Sequence, residues 1–135
     1  MLTSHPSFLR RVLLLDAAAS GATALLLLLG AGLLEGLLGL PGALLRTAGL
    51  ILIPYVAFVL YVGMREPHVR GAVWTIILAN FAWAAGSFAL LVSGWVAPTM
   101  LGYAFVIAQA LVVAILGELQ YAGLKRSSTM AEGTL

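Results

Sequence analysis

Charged residues divide the chain into four long apolar runs. The first covers 12–34 and is interrupted only by Asp16. The second (47–64) and the third (72–95) contain no Asp, Glu, Lys or Arg, and the fourth (100–124) carries Glu118 near its end. A hydrocarbon core of about 30 Å takes about 20 helical residues, so each run is long enough to cross it. None alternates strictly between polar and apolar, which argues against strands, and a helix satisfies its own backbone groups in lipid. The pattern predicts an all-α integral membrane protein, an antiparallel four-helix bundle forming one domain over 1–126. A short polar tail over 127–135 is expected to fray. Leu40-Pro41-Gly42, Arg65-Glu66-Pro67-His68 and Val96-Ala97-Pro98-Thr99 mark the turns. The greasy connection from Glu35 to Arg46 is expected to lie along an interface as a short amphipathic piece.

Composition sharpens this reading. Hydrophobic residues make up 62% and charged residues 9%, against roughly 25% charged in an average soluble domain. So few charges exclude an ordinary water-soluble domain, a disordered tail and a nucleic-acid binder. With no cysteine, disulfides, thiolate metal sites and thiol catalysis are excluded as well.

The few basic residues orient the spans. Arg10 and Arg11 precede the first, Arg65 and Arg70 separate the second from the third, and Lys125 and Arg126 follow the fourth; only Arg46 falls on the other side. The positive-inside rule then places both termini in the cytoplasm of a bacterial inner membrane. Aromatic positions agree: Tyr61, Trp74 and Tyr121 near the inner interface, Trp95 and Tyr103 near the outer one, with Trp83 the exception near mid-span. The first run also resembles a signal peptide. Its length and Asp16 favour a retained span.

At membrane depth the polar side chains carry the information, because each costs free energy unless paired. A rise of about 1.5 Å per residue puts Asp16 roughly 7–8 Å and Glu118 roughly 10 Å from the inner charged flank, at similar depth. Ser20 and Asn80 fall near the middle, and Gln109 lies deeper, level with Ser87. Helical spacing aligns Asp16, Ser20 and Thr23 on one face, Asn80, Trp83 and Ser87 on another, and Gln109 and Gln120 on a third. Glu118 points nearly opposite to Gln109. One reading is a ligand or ion site of Asp16, Ser20, Asn80, Trp83, Gln109 and Glu118, entered from the cytoplasm with the two acids at its mouth. The other pairs Asp16 with Arg10 or Arg11 and Glu118 with Lys125, and leaves the remaining polar groups as interhelical hydrogen bonds.

No phosphate-binding, metalloprotease or nucleophile-elbow motif is present, and no histidine lies within a span, so no catalytic function and no cofactor are expected. Small-residue pairs (Ala17/Gly21, Ala18/Ala22, Ala82/Gly86) suit close helix approach, so the expected partners are the lipid bilayer and a homo-oligomer or larger membrane complex. Pro54 is expected to kink the second span. The size and layout resemble several small bacterial four-helix membrane families, a likeness of architecture that implies no chemistry. Three functions remain open: binding or passage of a small molecule or ion, an accessory subunit of a larger complex, and a lipid- or quinone-binding module.

Overall fold

The computed structural model describes residues 8–65 and 68–133, with side chains described up to Lys125. His5, Glu66 and the side chains from Arg126 onward lie outside the described residues. Among those described there is no strand, and the helices are α1 (Phe8–Leu29), α2 (Ala31–Leu38), α3 (Gly42–Met64), α4 (Arg70–Val92) and α5 (Met100–Gly133). Four segments, α1, α3, α4 and Met100–Lys125 of α5, are each long and apolar enough to cross a bilayer. This is the composition and layout of a small multi-pass membrane protein.

The boundaries differ from the hydropathy reading in three places. The first helix ends at Leu29, because Gly30 breaks the apolar run and α2 restarts beyond it. Hydropathy cannot see that break, since leucines continue on both sides. The greasy connection is thus partly helical, and α2 closes on Gly39 in the left-handed region at φ +69°. A Cβ there would also meet Thr99 N at 2.9 Å and Ala97 O at 3.1 Å, so glycine is required both for its dihedral and for the close approach. Next, α3 starts at Gly42 rather than 47, its first amide donating to Glu35 Oε1 at 2.7 Å. A carboxylate suits the electropositive start of a helix. Finally, α5 runs on through the polar tail to Gly133, and no proline or glycine interrupts Leu124 to Glu132. Polarity sets where the tail is solvated and does not by itself end a helix. Pro54 is accommodated inside α3 without ending it.

The long helices pack as two antiparallel hairpins. In the first, Gly63 of α3 lies against Leu13 and Leu14 of α1 at one end, and Gly49 lies against Leu28 at the other. In the second, Trp74 of α4 meets Tyr121 of α5 edge-on, with ring centroids 5.6 Å apart. The hairpins join through α1 and α5, where Gly123 admits Phe8 and Leu9, while α3 and α4 touch little. One apolar cluster (Leu9, Leu13, Val59, Val73, Ile76, Leu124) fills the end that carries most of the basic residues. Another (Ala24, Leu27, Leu38, Leu45, Leu52, Val106) fills the end covered by α2. A polar layer separates the two.

Candidate functional site

Asp16 is fully buried. An isolated carboxylate at this depth costs several kcal/mol, so its partners decide whether the position is tolerable. One turn along α1, the Ser20 hydroxyl donates to Asp16 Oδ1 at 3.0 Å. Three donors converge on Oδ2: the Tyr55 hydroxyl of α3 at 2.7 Å, Asn80 Nδ2 of α4 at 3.0 Å and Gln120 Nε2 of α5 at 2.7 Å. Every long helix therefore contributes to one neutral cradle around one carboxylate. The second hydrogen of Asn80 Nδ2 goes to Gln120 Oε1 at 2.7 Å, and the Tyr55 oxygen also lies 2.9 Å from Asn80 Oδ1. Asn80 and Gln120 are buried with Asp16. Among the described residues, no buried side-chain polar atom lacks a partner. Gly117 makes the approach of α5 achievable, since a Cβ there would stand 3.2 Å from the Phe81 ring and 3.4 Å from Asn80 Cβ.

Nearer the α2 end, α4 and α5 share a second polar set. Trp83 Nε1 donates to Gln109 Oε1 at 2.9 Å. Gln109 Nε2 donates to Ser87 Oγ at 2.9 Å and to Val106 O at 2.8 Å, and Ser87 Oγ donates to Trp83 O. The indole only donates, which fixes the orientation of the Gln109 amide.

Two clefts reach these groups from the flanks. One, of about 290 Å³, lies between α1 and α5 and is lined by Ser20, Thr23, Phe105, Gln109 and Val113, with Ala108 and the exposed Val112 at its rim. The other, of about 120 Å³, lies between α3 and α4 and is lined by Tyr55, Asn80, Trp83 and Ser20, with the exposed Ile51 at its rim. Ser20, Leu52 and Val113 line both.

Of the six residues marked by the sequence, Asp16, Ser20 and Asn80 meet in the cradle. Trp83 and Gln109 bond each other beside it. Glu118 is exposed and is not a partner of Asp16. The suggested pairing of Asp16 with Arg10 or Arg11 is replaced by four neutral donors, with Arg11 exposed. The cytoplasmic mouth with paired acids is likewise absent among the described residues: the basic end is filled by leucine, valine and isoleucine, and the clefts open sideways.

Sequence reasoning missed Tyr55 and Gln120 as site residues. Both had signals. Tyr55 is nine residues from the end of its helix, too deep for an interfacial tyrosine. Gln120 shares a helical face with Gln109. No family model, curated protein or solved structure matches this chain.

Proposed function

We propose that this protein binds a small amphipathic molecule, taken from the lipid phase, in the clefts beside the Asp16 cradle. The observation that carries this reading is the position of Ser20. It lines both clefts and hydrogen-bonds the buried carboxylate, so a molecule in either cleft lies one side chain from the charge. The cleft walls are largely apolar with a few convergent polar groups, the common constitution of small-molecule sites. Lateral rims at Ile51 and Val112 suit a ligand dissolved in the bilayer. In this reading the basic end faces the cytoplasm of a bacterial inner membrane.

Native mass spectrometry of the full chain, extracted in mild detergent, tests the proposal. A retained small molecule is expected, and Val113→Trp, which fills the space common to both clefts, releases it. Spectra showing only protein and bulk phospholipid for both chains would overturn it.

A second reading, an accessory subunit or homo-oligomer, draws support from α4. Its outward face exposes Ala82, Ala85, Gly86 and Ala89, and a Cβ at Gly86 would meet nothing within 4 Å. Such a surface admits another transmembrane helix closely. Stoichiometric co-purification of a second membrane protein, or a dimer broken by Gly86→Leu, supports this reading.

A further inference from the structure

The chemistry of the ligand follows from counting hydrogens at the clefts. Ser20 has one hydroxyl hydrogen, and it goes to Asp16. Thr23 has one, and it goes to Ala19 O at 2.8 Å. Gln109 has two amide hydrogens, directed to Ser87 and Val106. Asn80 has two, directed to Asp16 and Gln120. The single indole hydrogen of Trp83 goes to Gln109. Tyr55 has one hydrogen for two acceptors, Asp16 Oδ2 and Asn80 Oδ1. Every polar side chain that lines either cleft has therefore committed its hydrogens to the protein. Oxygen lone pairs remain, and beside Tyr55 the site is one hydrogen short.

The charge has the same sign. The four donors to Asp16 are neutral, so in its ionised form nothing in the cradle cancels its charge. Two consequences follow for an incoming group. A carbonyl, carboxylate or phosphate finds acceptors and negative potential. An ammonium group finds acceptors for its hydrogens, a carboxylate one side chain away, and the aromatic rings of Tyr55 and Trp83 in the cleft wall.

Building on the site proposed above, we infer that its ligand is a lipophilic organic amine in its ammonium form, with the nitrogen at Ser20, Tyr55 and Asn80 and the apolar body in the clefts. Donors and positive charge are what the pocket lacks, and the apolar walls accept the rest of the molecule.

The test uses the full chain in lipid nanodiscs, with binding to empty nanodiscs of the same lipid subtracted. The probes are 4-phenylbutylammonium, neutral 4-phenylbutanol and anionic 4-phenylbutanoate, measured by equilibrium dialysis. The ammonium is expected to bind about tenfold or more tighter than the alcohol, the scale of one charge-assisted hydrogen bond, and the carboxylate not to saturate. Asp16→Asn brings the ammonium down to the level of the alcohol. This variant keeps one oxygen for the three donors on Oδ2, while its amide donates to Ser20 Oγ and the Ser20 hydroxyl hydrogen turns away from position 16. Val113→Trp removes binding of both probes by filling the space, with Asp16 untouched.

An alcohol or carboxylate that binds as tightly as the ammonium overturns the amine assignment, as does an Asp16→Asn chain with unchanged ammonium affinity. If no probe saturates but a retained molecule appears in the native mass spectrum, the amine assignment alone falls. If neither appears, the proposed function falls with it.

Discussion

The Tyr55 hydroxyl stands 2.7 Å from Asp16 Oδ2, joining side chains 39 positions apart across α1 and α3. Its one hydrogen serves Asp16 or Asn80 but not both at full strength. Tyr55→Phe removes that hydrogen and keeps the ring in place. The expected cost is about 1 kcal/mol, since Asp16 retains three other donors. Reversible unfolding of the wild type and the variant in mixed micelles measures it. A cost several times larger would mean that Tyr55 carries the carboxylate alone.

Removing the acceptor should cost more than removing one donor. Asp16→Leu leaves the Tyr55, Asn80 and Gln120 donors facing a hydrocarbon side chain, and a loss of about 3 kcal/mol is expected. Asp16→Asn should lose much less, because the three donors still share one oxygen. The order of the two variants in the same unfolding assay is the result of interest. Equal losses would contradict convergence of the donors on Oδ2.

Much of this fold was legible from the chain, and the reasons are physical. Lipid tolerates few charges, so Asp16, Glu118 and the flanking arginines stand out in any reading, and helix spacing put Asp16 with Ser20 and Asn80 with Trp83. Facing around a helix was legible, but pairing between helices was not. Asp16 and Glu118 match in depth, yet Glu118 turns outward and Gln120, two residues on, turns in. That is a rotation of about 200° at 100° per residue. Tyr55 is an uncharged ring beside Pro54 in an apolar run, and its own helix does not disclose that its hydroxyl meets Asp16. The break at Gly30 was hidden by uninterrupted hydrophobicity. The lateral clefts depend on how little α3 and α4 touch, which one helix at a time does not disclose.

Glycines offer a sharp pair of stability predictions. A Cβ at Gly102 would run into Leu38 O, at the point where α5 meets α2 and where Thr99 donates to Leu37 O at 2.7 Å. Gly102→Ala must push the two helices apart, at an expected cost of about 2 kcal/mol or more. Gly86→Ala points into open space on α4 and should be neutral or gain up to about 0.5–1 kcal/mol through helix propensity. Thermal denaturation in detergent compares them directly. A destabilising Gly86→Ala would reveal a partner on that face.

Gln109→Leu isolates the second polar set. It deprives the Trp83 indole of its acceptor and Ser87 of its donor, while the Asp16 cradle is untouched. In a chain labelled with ¹⁵N-tryptophan, the Trp83 indole proton resonance is expected to move upfield and to exchange faster with solvent, with those of Trp74 and Trp95 unchanged. An unmoved resonance would place the indole against some other acceptor.

The order in which the cradle is assembled matters for how the chain enters its membrane. Asp16 emerges first, and its last partner, Gln120, follows 104 residues later. At ribosomal rates that gap lasts roughly 5–20 s. Within it Ser20 is the first companion of the acidic group, Tyr55 follows after 39 residues and Asn80 after 64. Biogenesis of this protein thus ends with a latching event, in which the closing helix supplies the donor that lets the opening helix settle.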